Sequence, residues 1–108
     1  MKLGFIGGGK MAEAIISSVL RARIAGQHAV FVSDVSSERR EHLKRELGVN
    51  VYSHNGDVVA AADVLFLAVK PQDLSELLGS IADRVTDEQL VVSIAAGRTI
   101  GSIEAELQ

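Results

Sequence analysis

The sequence predicts an α/β fold: a doubly wound parallel sheet of about five strands with helices on both faces. Three observations predict it. Short apolar runs alternate with segments whose apolar residues recur at spacings of three and four. The runs are apolar throughout rather than at every second position, the pattern of strands covered on both faces. A turn of three glycines, Gly7-Gly8-Gly9, joins the first run to the first helical segment.

Leu3 to Ile6 reads as the first strand and Met11 to Leu20 as the first helix, with Ala12, Ile15, Ile16, Val19 and Leu20 on one face. Gly26 is its expected stop. Val30 to Val32 form the second strand, continuing through Ser33 to Asp34. Ser36 or Ser37 is expected to cap a helix with Glu38 to Leu47 as its body, and Gly48 ends it. Val49 to Tyr52 is a short third strand, and Asn55 the expected cap of a brief helix through Val58, Val59 and Ala62. Val64 to Val69 is the strongest strand; Lys70-Pro71 breaks it. Pro71 suits the first turn of a helix carrying Leu74, Leu77, Leu78 and Ile81. Leu90 to Ile94 is the fifth strand. Ala95-Ala96-Gly97 is a loop, and a last helix starts near Thr99 with Ile100, Ile103 and Leu107 on its apolar face. Phe5, Phe31 and Phe66 each fall in a strand and read as core.

The 108 residues suit one domain, and 47% hydrophobic with 23% charged residues suits a globular chain. The net charge of −3, with both signs interspersed, argues against a nucleic-acid partner, which favours a concentrated basic face. With no cysteine, disulfides, thiolate catalysis and cysteine-ligated metals are excluded, and three scattered histidines do not make a metal site. The first strand starts too early for a cleavable signal, and no apolar stretch approaches the roughly 20 residues of a membrane span. The expected location is the cytoplasm.

The glycine turn carries a chemical signature. Gly7, Gly9 and Ala12 form G-x-G-x-x-A between a strand and a helix, and Asp34 follows Ala12 by 22 residues at the end of the next strand. The first glycine allows a sharp turn, the second lets backbone approach a phosphate, and the small third residue lets helix and strand pack closely. The unpaired N–H groups at the helix start then face an anion. Strand, helix and acidic residue are the context that makes this a Rossmann-type dinucleotide site. A carboxylate at Asp34 accepts from the ribose 2′-hydroxyl of NAD and repels the 2′-phosphate of NADP, for which Ser33, Ser36, Ser37, Arg39 and Arg40 would have to make room. Arg39 and Arg40 otherwise read as solvated helix residues. Met11 reads either as a core plug or as a floor under the ligand, Lys10 and Lys70 either as ligand contacts or as solvated ends. His28 reads as exposed, and His54 as a weak ligand candidate.

Three phrases, GFIGGGKMAEAI, LFLAVKPQ and VVSIAAGRTI, in that order and at these spacings, resemble the amino-terminal domain of pyrroline-5-carboxylate reductase across essentially the whole chain. The wider superfamily, with coenzyme F420-dependent NADP reductases and beta-hydroxyacid dehydrogenases, shares the loop but usually lacks both later phrases. The resemblance implies reduction of 1-pyrroline-5-carboxylate to proline with NADPH or NADH, NADPH being the more usual. It places cofactor contacts on Gly7, Gly8, Gly9, Lys10 and Met11, on Ser33, Asp34 and Asn55, on Ala68, Val69, Lys70 and Pro71, and on Ala95, Ala96 and Gly97. The family has a second, helical domain that makes the dimer and most of the substrate pocket, and this sequence lacks it. The resemblance therefore implies a cofactor-binding fragment over residues 1–108, nearly inactive alone, of a homo-oligomeric enzyme. No catalytic residue stands out, because a protonated cyclic imine needs orientation and a dry pocket more than acid–base groups. A non-catalytic nucleotide-binding module is the alternative, as is an F420-dependent NADP reductase.

Overall fold

The structure, a computed structural model, describes residues 1–94. The expected loop at Ala95–Gly97 and the expected last helix lie outside the described residues.

Among the described residues five strands and four α-helices alternate: β1 (Leu3–Ile6), α1 (Lys10–Arg21), β2 (Val30–Ser33), α2 (Ser37–Leu47), β3 (Asn50–Tyr52), α3 (Asn55–Ala61), β4 (Val64–Leu67), α4 (Pro71–Ile81) and β5 (Leu90–Ser93). All neighbouring strands pair in parallel, in the order β3-β2-β1-β4-β5. The chain therefore adds β2 and β3 on one side of β1, then crosses to add β4 and β5 on the other. Crossovers of the usual right hand put helices on opposite faces when that direction reverses. Two buried clusters show the result. On one face Leu3, Phe5, Val30 and Val32 pack with Ala12 and Ile16 of α1 and Leu43 of α2. On the other, Ile6, Leu65, Leu67 and Val91 pack with Val58 and Val59 of α3 and with Leu74, Leu77, Leu78 and Ile81 of α4. Adjacent residues of β1 thus serve opposite faces, as the pleat requires. Phe5 and Phe66, register partners on β1 and β4, stack with ring centroids 4.7 Å apart.

Each expected strand and helix within the described residues is present, and the corrections fall at the ends. Gly26 does not stop α1; the helix ends at Arg21, and Arg23 takes the left-handed turn at φ 58°. The amides of Arg23 and Ile24 then return to the carbonyls of Leu20 and Val19. Asn55 does not cap α3 but is its first helical residue, with His54 in the capping position. Ser36 is the cap of α2, its hydroxyl accepting from the Arg39 amide at 3.2 Å, and Gly48 closes that helix at φ 70°. β4 stops at Leu67, so Ala68, Val69 and Lys70 form the loop before α4. Of the three phenylalanines Phe5 is fully buried, whereas Phe31 and Phe66 are half-buried against the two clusters.

Candidate functional site

The reversal of strand order places β1 beside β4 while their following helices pack on opposite faces, and in open α/β sheets ligands bind at the carboxyl ends of the strands at such a reversal. Gly7 and Ala68 stand there. The Gly7 amide donates to the Ser33 carbonyl at 2.9 Å, and the Ala68 amide to the Ile6 carbonyl at 2.8 Å. Gly7 has φ 98°, and a Cβ on it would run into the Ala68 carbonyl oxygen. Gly8 is buried. Gly9 differs from both: its φ of −75° suits any residue, and a Cβ there would meet no described residue within 4 Å. It precedes α1 with no side-chain cap, so the capping residue leaves the first N–H groups of the helix unoccupied. Ala12, 1% exposed, packs in the core beside Phe5 and Val32, as the third position of the motif requires.

The loop after β2 lies against this one. The Ser33 hydroxyl, fully buried, donates to Asn55 Oδ1 at 2.8 Å, which joins the ends of β2 and α3. That bond is what Asn55 does in place of capping. Asp34 receives two backbone donors: the Gly8 amide to Oδ2 and the Ser36 amide to Oδ1, both at 2.8 Å. It is half-buried, and each oxygen keeps a further lone pair.

Arg39 and Arg40, read from the sequence as solvated, are instead both engaged. Arg39 Nε donates to the Gly8 carbonyl and Nη2 to Glu13 Oε1, each at 2.8 Å. Arg40 Nη1 donates to the carbonyls of Asp34 and Val35 at 2.8 and 3.1 Å. His42 Nε2 sits 3.0 and 3.1 Å from the two Glu13 carboxylate oxygens. Sequence reasoning missed Glu13 and His42. The available signal was weak: an acid in the first turn of α1, and a basic pair three residues apart on α2.

The His42 hydrogen bond, then the Arg39 hydrogen bond, hold the Glu13 carboxyl below its ordinary value of 4.5. A carboxylate with a lowered folded pKa contributes stability above its unfolded value, and loses it as pH falls through the folded one. Glu13→Gln is therefore expected to weaken the fold slightly at neutral pH and to flatten the loss of stability below about pH 4.5. Urea melts across that range check it. The effect is small because the pair is about a third exposed.

The remaining expected contacts sort by exposure. Lys10 and Met11 lie on the outer side of the first turn of α1; Met11, 60% exposed, is no core plug. Val69 is half-buried, Lys70 exposed in the capping position of α4, and Pro71 the first residue of that helix. His54 and His28 are exposed. The structure thus brings together the loops after β1, β2 and β4 with Asn55, while Ala95, Ala96 and Gly97 lie outside the described residues. No described helix is long and apolar enough to cross a membrane.

The family described as NADP oxidoreductase, coenzyme F420-dependent, matches residues 2–97. The chain belongs to that family. Within it, the chain is 40% identical over 106 residues to a pyrroline-5-carboxylate reductase of Methanosarcina acetivorans, covering 98% of this chain and 39% of that one. It is 39% identical to the reductase of Pseudomonas aeruginosa, with 98% and 38% covered. The structure of a pyrroline-5-carboxylate reductase from Coxiella burnetii superposes with a TM-score of 0.90 at 31% identity, over 98% of this chain and 39% of that one. The Plasmodium falciparum enzyme with NADP bound superposes at 0.83 and 28% identity, over 99% and 38%. The chain therefore spans about two fifths of the length of these relatives.

Proposed function

We propose that the chain is the dinucleotide-binding part of a pyrroline-5-carboxylate reductase, which forms proline from 1-pyrroline-5-carboxylate with NADPH. The observation that carries the reading is Gly9. Gly7 is required by the turn, but among the described residues nothing asks for glycine at Gly9. A residue without a side chain is needed there only if something else approaches the backbone, and it stands ahead of a helix N-terminus at the strand-order reversal. The names of the relatives add the substrate and NADP.

In this reading Gly9, Lys10 and Met11 hold the pyrophosphate, with the positive end of α1 behind it. Asp34 and Asn55 take the adenosine ribose; Ser33, expected from the sequence to touch it, is fully buried and holds Asn55 instead. Ala68 to Pro71 and Ala95 to Gly97 flank the nicotinamide; of these only Lys70 carries a titratable side chain, and it is exposed at the start of α4. The bound nicotinamide supplies the hydride. The chain orients it and excludes water on one side, and no residue of the chain acts as acid or base. The substrate pocket belongs to a second domain of the whole enzyme, a cytoplasmic homo-oligomer.

A specific observation keeps NADH as a second reading. Two backbone amides pin the Asp34 carboxylate beside the glycine loop, where it meets a ribose 2′-hydroxyl favourably and a 2′-phosphate badly. Calorimetric titration of the chain with NADPH and NADH in one buffer tests both readings. Binding of both nucleotides is expected, with no more than traces of proline formed when substrate is added. Tighter NADH would assign the ribose to Asp34, and tighter NADPH would assign the 2′-phosphate to Ser36, Ser37 and Arg40. Binding of neither would refute the nucleotide site.

A further inference from the structure

The peptide of Gly8 is gripped from outside its own loop. Its N–H donates to Asp34 Oδ2, and the neighbouring carbonyl of the same residue accepts from Arg39 Nε, both at 2.8 Å. Arg39 is itself seated three ways. Its Nη2 donates to Glu13 Oε1 at 2.8 Å, its amide donates to the Ser36 hydroxyl at 3.2 Å, and the Glu13 it holds is held again by His42 at 3.0 Å. The circuit runs from α2 through the glycine loop to the first turn of α1. The turn itself does not need this circuit, because Gly7 makes it with the bond to Ser33.

We propose that Arg39, seated by Glu13 and His42, is a positioning residue that locks the Gly8 peptide so that the amides after it stay aimed at the dinucleotide phosphates. This rests on the reading of the glycine loop as the pyrophosphate site. Three consecutive glycines are the most costly residues to immobilise, and ordering one backbone residue opposes binding by about 1–2 kcal/mol. Ordering them before the ligand arrives removes that cost from association. Arginine suits the task by geometry rather than charge. Its planar fork serves the Gly8 carbonyl and the Glu13 carboxylate at once, in fixed directions, whereas an ammonium is a single point at the end of a flexible stem.

The test is Arg39→Lys in the full chain, which keeps the positive charge near the phosphates and loses the fork. NADPH affinity by calorimetry, the melting temperature, and hydrogen exchange of the Gly8 and Gly9 amides in the ligand-free protein are measured together. Affinity is expected to fall about tenfold, the scale of one charge-assisted hydrogen bond, with melting moved by only a few degrees and both amides exchanging faster. Glu13→Gln should weaken affinity less, and the double variant should be no weaker than Arg39→Lys alone, since the two act through one contact. Affinity within twofold of the parent, or loss that adds up across the double variant, would overturn the proposal. If Arg39→Lys does not fold, His42→Ala takes its place, with a smaller loss expected in the same direction and an unchanged affinity counting against it. If the parent chain binds no dinucleotide, the functional reading fails by itself. The exchange rates then decide the lock alone, with unchanged rates overturning it.

Discussion

Gly7→Ala is expected to lower stability by about 3–5 kcal/mol, enough to leave much of a domain of this size unfolded at 37 °C. Two penalties combine. An L-residue at φ 98° is strained wherever it sits, by roughly 1–2 kcal/mol or more. The new methyl also lands on the Ala68 carbonyl oxygen, a backbone atom that cannot swing away as a side chain does. Relief requires the ends of β1 and β4 to part. That endangers the bond from the Ala68 amide to the Ile6 carbonyl, and with it the edge on which the site is built. Gly8→Ala makes a fair control. Its methyl meets the end of the Leu43 side chain at 2.7 Å, and a leucine tip can turn, so a smaller loss is expected there. Thermal melts decide between them, since about 1 kcal/mol is worth roughly 4–8 °C in a domain of about 100 residues. A Gly7→Ala protein melting within a few degrees of the parent would sink the argument.

The contrast between these glycines marks how far the sequence could be read. Strand and helix positions were legible because apolar spacing is dictated by one element at a time. Leu74, Leu77, Leu78 and Ile81 announce the buried face of α4, and Pro71 its first turn, without reference to any neighbour. The motif likewise placed Gly7, Ala12 and Asp34, because its spacing is local to one strand–turn–helix unit. What stayed hidden depends on contacts across elements. Asn55 looks like a helix cap from its neighbours, and only the pairing of β2 beside β3 shows it accepting from Ser33. Arg39 and Arg40 look solvated on a helix rich in charge. Their partners are backbone carbonyls of loops five, six and thirty-one residues away and, for Arg39, the Glu13 carboxylate. Glu13 and His42 meet across 29 residues, a separation at which no spacing rule operates. Asp34 was read for its charge toward a ribose, and what the structure shows is a tie between the first two loops through the Gly8 and Ser36 amides. The end of α1 misled for a different reason. Gly26 offered the usual left-handed terminator, and Arg23 adopted that conformation first.

Gly9→Asp is expected to separate binding from folding with opposite signs. Gly9 is the capping residue of α1, with extended dihedrals and, among the described residues, open space where a side chain would go. Aspartate is among the best residues in that position, because its carboxylate accepts from the free amides of the first turn and meets the positive end of the helix dipole. The variant should therefore fold as well as the parent or a few tenths of a kcal/mol better. For a dinucleotide the same carboxylate occupies the amides that the pyrophosphate needs and adds a like charge beside it. Two unit charges about 4 Å apart near a protein surface repel by roughly 4 kcal/mol, and each 1.4 kcal/mol is a factor of ten. Screening and a shift of the side chain reduce this, and a loss of NADPH affinity of about a hundredfold or more remains the expectation. Gly9→Ser supplies the same cap without charge and should cost nearer tenfold. The order parent, serine, aspartate in falling affinity, against level or rising melting temperature, is a pattern that damage to the fold cannot produce. An aspartate variant that binds NADPH as the parent does would move the phosphates away from this loop, and the reason for a glycine at Gly9 would have to be sought elsewhere.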